Sequence, residues 1–446
     1  MAKDREVVIF AHLDESWVPC GLLTMTEEGA TLLASSYAYG TRYLDRPGAV
    51  EIDPVSLGTH GAPVKGKVLL PVNDLTGFGG IRDAAPDSWG RRVIEAKLKA
   101  PANSLRESDY LLHAGSNRVG ALDVRPSRDS EPLEGAAGRV HDLERLLAAA
   151  ERIDEGLPVP SHLEQIFIQG SALGGARPKA TVRDGAGYLT LAKFPTRKDA
   201  FDIPVIEAAT LRLASAAGLN VPAVETVMLN TRRVMMIRRF DRYWLDKGVA
   251  AGMGTDLTLA PANGRTERRM AFVSGLTMVG CDELESNAKA YADLAEAVRK
   301  YCHPSVIRQD SEELYKRMVF NVLVNNDDDH LRNHGFIWDP ALPGWRLSPL
   351  YDVLPRPAMA ADRYLHLGVG PEGRSATMDN ALAGAARFSI TPTRAGQLIA
   401  QVWAIVREWR VVFEGYGVQA QDIEKIASAF RHIDVLSTVG TRKLIA

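Results

Sequence analysis

The densest run of reactive side chains is Asn325-Asn326-Asp327-Asp328-Asp329-His330-Leu331-Arg332-Asn333-His334, directly after the apolar stretch Met318 to Val324. Three adjacent carboxylates repel one another, so a helix that ends in them needs a cation, a proton-accepting role or strong hydrogen bonding to compensate. A lone charge run is most often a solvated helix end. The crowding of Asp, Asn and His here argues for chemistry instead. Downstream, Asp352 is the single carboxylate of Leu347-Ser348-Pro349-Leu350-Tyr351-Asp352-Val353. Alone it reads as a turn residue. Paired with Asn333 it becomes a hard oxygen site suited to Mg²⁺, which takes few protein ligands and keeps the rest for water and phosphate.

Upstream, Lys193 is a single cation in the apolar strand-like segment Leu191-Ala192-Lys193-Phe194. A buried lysine is costly unless paired, so either its stem packs while its amine reaches solvent, or it pairs with an acid and faces phosphates. Glu207, the only acid in the run Ile203 to Ala217, is the candidate partner. Just before this strand, Gly170, Gly174 and Gly175 would let backbone N–H groups approach phosphate, with Arg177 and Lys179 adding positive charge. Most glycine pairs are only turns, and the Walker pattern is absent, since no Gly-Lys-Ser/Thr follows.

The elements that must position these residues follow from periodicity and punctuation. Short apolar runs at Val7 to Phe10, Trp17 to Leu23 and Val68 to Val72, broken by Gly and Pro, predict a small β-rich module over residues 1–125. Asp87 or Ser88 is placed to cap a helix running through Ala96 and Leu98. Val140 to Ile153 has helical spacing, and from Ile166 the pattern turns to strands and turns. Ile203 to Ala217 predicts a helix stopped by Gly218, and Val224 to Leu229 with Val234 to Ile237 predicts a hairpin. Helical periodicity dominates at Tyr291 to Tyr301, Glu312 to Leu323, Arg394 to Phe413 and Ile423 to Phe430. The expected organisation is thus 1–125, a small sheet with one helix over 126–255, and a helical lobe over 256–446, with a cleft between the last two.

Bulk composition narrows the function classes. The chain has 446 residues, 46% hydrophobic and 24% charged, and 53 Lys+Arg against 55 Asp+Glu give a net charge of −2. That excludes a disordered chain, and it removes the overall charge expected of a dedicated nucleic-acid binder. Three widely spaced cysteines, Cys20, Cys281 and Cys302, offer no metal spacing and fit a reducing compartment. The charged start and the lack of about 18–20 consecutive apolar residues point to a cytoplasmic protein with no membrane span.

Taken in order, a Gly-rich turn, a strand lysine, a helix glutamate, a hairpin ending at Arg239-Phe240-Asp241-Arg242, an Asp/Asn loop and a final Asp form the parts list of kinase-like phosphoryl transfer. The usual His-Arg-Asp and Asp-Phe-Gly strings are absent. Through Leu173-Gly174-Gly175-Ala176-Arg177-Pro178-Lys179, Ala192-Lys193-Phe194, Arg239 to Arg242, Asn326 to His334 and Pro349-Leu350-Tyr351-Asp352, the chain resembles the HipA family of serine/threonine kinases, toxins of bacterial toxin–antitoxin modules. Ala85-Pro86-Asp87-Ser88-Trp89-Gly90 extends the likeness to the family's N-terminal module.

The resemblance implies an α+β, protein-kinase-like two-lobed fold, with a small β-rich N-lobe and a mainly helical C-lobe, preceded by the N-terminal β-rich module. It implies that Asp328 is the catalytic carboxylate and that His330 supports the catalytic loop. Asn333 and Asp352 would hold Mg²⁺. Gly174, Gly175, Ala176, Lys179, Lys193, Glu207, Arg239 and Phe240 would bind ATP, the backbone around Ile237 to Phe240 meeting adenine. The implied substrate is a protein, an aminoacyl-tRNA synthetase in the family, with growth arrest as the outcome. The implied partner is a HipB-like helix-turn-helix antitoxin, and DNA would be met only through it. Two departures stand out. The family's autophosphorylated serine stands two residues before the first loop glycine; here that place is Ala172, and Ser171 is a displaced acceptor. Arg265 to Glu285 also departs, leaving substrate choice open. Competing readings are a catalytically silent partner of a DNA-binding antitoxin and a small-molecule kinase.

Overall fold

A computed structural model describes residues 1–60, 63–133, 137–164, 166–169 and 175–445. The chain divides into two compact units, each assembled from three stretches. The first comprises Met1–Thr196, Met236–Gly280 and Ile337–Pro343; the second comprises Arg197–Met235, Cys281–Phe336 and Gly344–Ala446. Residues 125 and 255, the expected boundaries, both fall inside stretches of the first unit.

The first unit begins with four antiparallel strands, β1 (Lys3–Leu13), β2 (Ser16–Glu28), β3 (Thr31–Tyr39) and β4 (Leu122–Arg125), in the order β3-β2-β1-β4. Strand β2 buries Val18 and Cys20 and then Leu23 and Met25, a change of phase that follows a bulge where Ile9 faces Gly21 but Phe10 faces Pro19. The extra residue shifts the alternation so that both halves of the strand keep an apolar face inward. Gly21 is required there because a Cβ would run into the Tyr37 phenol. Val7, Ile9, Leu23, Tyr37, Phe78, Ile81, Leu111 and Val124 share one core. Burying a single such side chain contributes about 1.5–3 kcal/mol. The expected strand Val68 to Val72 is not formed: only Leu69 bridges to Tyr37, Val68 and Leu70 stay exposed, and Pro71 removes the next donor.

Later in the same unit, Lys179–Arg183 and Leu189–Lys193 form an antiparallel pair, and Gly138–Arg139 lies parallel to the first of them. Ile166–Gln169 is a helical turn rather than a strand. Arg242–Asp246 pairs with Arg265–Arg269, and Phe240 and Phe272 pack against Tyr243, Leu245, Met270 and Ile337.

The second unit is mainly helical. Ile203–Ala216 starts at Asp202, whose side chain accepts the Val205 N–H, and ends before Gly218 at φ +81°. A hairpin of Val224–Leu229 and Arg232–Arg238, whose second strand runs from this unit into the first at Met236, turns at Asn230, which takes a positive φ. Ile307–Val324 packs against Tyr291–Tyr301 and Pro392–Val406. The expected single helix from Arg394 to Phe413 is two, Pro392–Val406 and Trp409–Gly415. The break has no Gly or Pro behind it. Instead Trp409 stacks on Phe430 at 3.9 Å, so packing decides where the helix turns. The three cysteines are buried and unpaired in disulfides. Among the described residues no helix is long and apolar enough to cross a membrane.

Candidate active site

The helix Ile307–Val324 delivers the acidic loop. It closes on Asn325 at φ +52°, a left-handed cap that asparagine tolerates, and the chain then reverses. The three aspartates that follow have separate fates. Asp329 is fully buried and its Oδ2 receives Tyr291 Oη at 2.5 Å, Asn321 Nδ2 at 2.7 Å and His334 Nε2 at 2.9 Å. Burial disfavours its charge, but His334 and these donors outweigh burial and hold the carboxyl below the usual range. Burial, reinforced by Asp329, pushes the Tyr291 phenol well up. Asp329 is therefore the structural anchor of the loop.

Asp327 and Asp328 face outward, with side chains 43% and 55% exposed. Asp327 is raised above the ordinary carboxylate range by partial burial and by Asp328, while Arg356 opposes the shift. The Asp328 carbonyl accepts His330 N–H at 2.8 Å and Asn333 Nδ2 at 3.2 Å. Its carboxylate is thus projected from a closed turn. Asn333, 6% exposed, uses its amide nitrogen inward and keeps its oxygen as the hard donor a Mg²⁺ would need. His330 lies edge-on to His366 at 5.9 Å, outside the Asp329 network.

Asp352 reaches this loop on a stiff segment. Tyr351 Oη donates to the Arg332 carbonyl at 2.8 Å, beside Asn333, and Arg356 contacts Asp327 and Asp328. Asp352 itself is exposed at φ +59° and lies beyond the strand, which ends at Leu347. The structure therefore brings Asp328, Asn333 and the Asp352 segment to one loop. Among the described residues no cluster of three His, Cys, Asp or Glu side chains would hold a metal unaided. The two oxygens Asn333 and Asp352 offer suit an ion that keeps water and phosphate in its shell.

In the first unit, Lys179 and Lys193 are register partners at the ends of their strands, 5% and 7% exposed. The strand pair thus sets two ammonium groups at one end of the sheet, the charge type that binds phosphate. Gly175 at φ +80° has no room for a Cβ beside the Lys179 ammonium. The turn is gripped from the N-terminal module. Gly175 N–H donates to the Asp87 carboxylate, Trp89 N–H donates to Gly175 O at 3.1 Å, and the Trp89 indole donates to Lys179 O at 2.8 Å. Ala176 is exposed, its carbonyl taking Arg92 Nη2 at 2.7 Å. Asp87 stands at the N-cap of Ser88–Leu98 without capping it, because its side chain serves this turn instead. Gly174 and Ser171 lie outside the described residues. Glu207 is buried in Ile203–Ala216 of the second unit.

The guanidinium of Arg239 is committed to Asp241 and to the carbonyls of Asn117 and Arg118, at 2.9 and 2.7 Å. Arg242 and Gly120 N–H close the same knot on Asp241, at 2.6 and 2.7 Å. The Arg239 side chain is therefore structural, and its backbone N–H is taken as well, donating to Leu189 O at 3.0 Å. Phe240 packs on Phe272, ring centres 6.1 Å apart.

Residues 171–409 match the model of the HipA-like C-terminal domain, more than half of the chain. The chain belongs to the HipA family. Over 339 residues it is 28% identical to a candidate kinase, Y4mE of Sinorhizobium fredii, covering 71% of each sequence. Its fold is that of HipA from Shewanella oneidensis MR-1, solved with HipB and operator DNA: TM-score 0.61, 15% identity, 98% of this chain and 96% of that one. The family match spans the acidic loop, Lys193 and Asp352. It leaves out Asp87, Trp89 and Arg92, which the structure adds to the Gly175 turn. Sequence reasoning also missed Arg356, Tyr291 and Asn321. Only the unusual doublet of Asp329 and His334, five apart, hinted at the buried pair.

Proposed function

We propose that this HipA-family chain is an ATP- and Mg²⁺-dependent serine/threonine protein kinase, the toxin of a toxin–antitoxin pair. Its substrate would be an aminoacyl-tRNA synthetase or another translation component. The observation that carries the reading is the division of labour in the acidic loop, where Asp329 is buried in hydrogen bonds while Asp328 is projected with Asn333 on its carbonyl. A buried aspartate with three donors on one oxygen supports; an exposed one on a rigid turn can accept a proton.

In this reading Lys179 and Lys193 bind ATP phosphates, and the backbone from Ile237 to Phe240 meets adenine. Asn333 and Asp352 would hold Mg²⁺, which supplies charge neutralisation on the phosphates. Asp328 orients the substrate hydroxyl and takes its proton, and His330 supports the loop. Catalysis then rests on positioning and charge rather than on covalent chemistry by the protein. The Shewanella HipA was solved with HipB and operator DNA, and we propose a comparable helix-turn-helix antitoxin as partner, with DNA met only through it. A cytoplasmic location fits such a role.

The test is incubation with γ-labelled ATP, Mg²⁺ and a cell lysate. Wild-type protein should label a protein that Asp328→Ala does not. Equal labelling by both, or none by either, would end the kinase reading.

A further inference from the structure

Arg356 stands between Pro355 and Pro357, in the segment that follows Asp352. The preceding ring has a fixed φ, and the following one restricts Arg356 to extended backbone, so the chain here is stiff. It is also held twice to the helix cap. Arg356 N–H donates to Asn325 O at 3.1 Å, and Asn325 Nδ2 donates to Arg356 O at 2.6 Å. From that anchored position the guanidinium spans both outward carboxylates, with Nε 3.2 Å from Asp327 Oδ1 and Nη2 2.5 Å from Asp328 Oδ2. No described residue hydrogen-bonds Asp328 Oδ1.

Half-exposed ion pairs add little to stability, so stability gives no reason for so rigid a mounting. Geometry does. Two neighbouring carboxylates would repel and turn apart. A planar guanidinium bridging them fixes the plane of each, which a point charge cannot do. We propose that Arg356 is a positioning residue for phosphoryl transfer: by holding Oδ2 of Asp328 it presents Oδ1 to the hydroxyl of the incoming serine or threonine. This rests on the kinase reading above. In the step, the hydroxyl O–H bond breaks and its proton passes to Oδ1. The hydroxyl oxygen bonds to the γ-phosphorus while the bond from that phosphorus to the β–γ bridging oxygen breaks, and ADP leaves with the electron pair. Arg356 exchanges no proton and touches neither phosphorus nor hydroxyl.

The test follows the initial rate of label transfer from γ-labelled ATP to lysate protein across ATP concentrations. It compares wild type, Arg356→Ala, Arg356→Lys, Arg356→Ala with added guanidinium chloride, and Asp328→Ala. Misplacing a reacting group by about 1 Å costs about 100-fold. Arg356→Ala should lose about that factor in maximal rate with KM for ATP unchanged. Lysine should recover part of the loss, and free guanidinium should recover more. Wild-type rates in Arg356→Ala, an equal loss of ATP affinity, or failure of both rescues would overturn the proposal. If Asp328→Ala is dead while Arg356→Ala is fully active, the inference falls and the kinase reading stands. If wild type transfers nothing, the kinase reading falls and takes this inference with it. Arg356→Lys keeps the charge and should fold as wild type, so the comparison survives instability of the alanine variant.

Discussion

The carboxylate of Asp87 accepts the backbone N–H of Gly175, 88 residues further along the chain. With Trp89 and Arg92 it ties the Gly175–Lys179 turn to the helix Ser88–Leu98. The order of that turn is thereby set by a part of the chain that the family match does not include. Hydrogen bonds to a charged acceptor contribute about 1.5–3 kcal/mol, so Asp87→Ala should lower unfolding stability by about that amount. Asp87→Asn, which keeps an acceptor oxygen, should lose less. Limited digestion with a protease of broad specificity gives a local readout: cleavage between Gly175 and Lys179 should accelerate in Asp87→Ala before the rest of the chain is cut.

Lys179 and Lys193 make a second, independent prediction. Two buried lysines in register gain from an anion, so ATP should raise the unfolding midpoint of the wild type. At 100 times its dissociation constant a ligand contributes about 2.7 kcal/mol. Lys193→Ala should lose most of that shift. A thermal shift series with and without ATP checks it. Undiminished stabilisation of Lys193→Ala by ATP would remove this pair from the phosphate site.

Much of this arrangement is legible in the sequence, and the gaps have physical causes. The helix Ile203–Ala216 and the hairpin at Asn230 are local: apolar spacing, a proline near the start, a glycine stop and a turn residue define them. The acidic loop is legible as a site for the same reason. Which aspartate is buried is not local, because Asp329 is selected by Tyr291 and Asn321, 38 and 8 residues away. Arg239 reads equally well as a phosphate ligand or as an ion-pair residue. Its carbonyl partners near residue 118 are more than 100 positions away and decide the matter. Arg356 has no motif around it except two prolines, and its meaning appears only when Asn325 is beside it.

The Asp241 knot yields a stability prediction separate from activity. Burial opposes its charge, but Arg239, Arg242 and Gly120 N–H overcome that and hold its carboxyl far below the usual range. Removing one partner of a buried ion pair costs about 3–5 kcal/mol. Asp241→Ala should therefore lose up to that much in denaturant unfolding, leaving Arg239 on the carbonyls of Asn117 and Arg118 and Arg242 on Glu267 at 3.7 Å. A loss below about 1 kcal/mol would show that the arginines find other acceptors.

Asp329 carries the pH prediction. Its folded carboxyl lies below the unfolded value, so its stabilisation is present at neutral pH and is lost as pH falls through the folded value. An unfolded aspartate titrates near 3.9, so the loss should begin around pH 4 and continue below it. Asp329→Asn removes the charge but keeps an oxygen for Tyr291 and Asn321. Its deficit against wild type should be largest near pH 7 and shrink as the solution is acidified below pH 4. Asp328→Asn, half exposed, should unfold like wild type across the whole range, since its role lies in the reaction and not in the fold. Loss of general-base action alone costs about 10²–10⁴ in rate, so the two neighbouring substitutions should separate cleanly. Asp328→Asn should be stable and inactive. Asp329→Asn should be unstable, with activity falling only as the loop loosens. Identical unfolding curves for the two variants at pH 7 would contradict the assignment of separate roles.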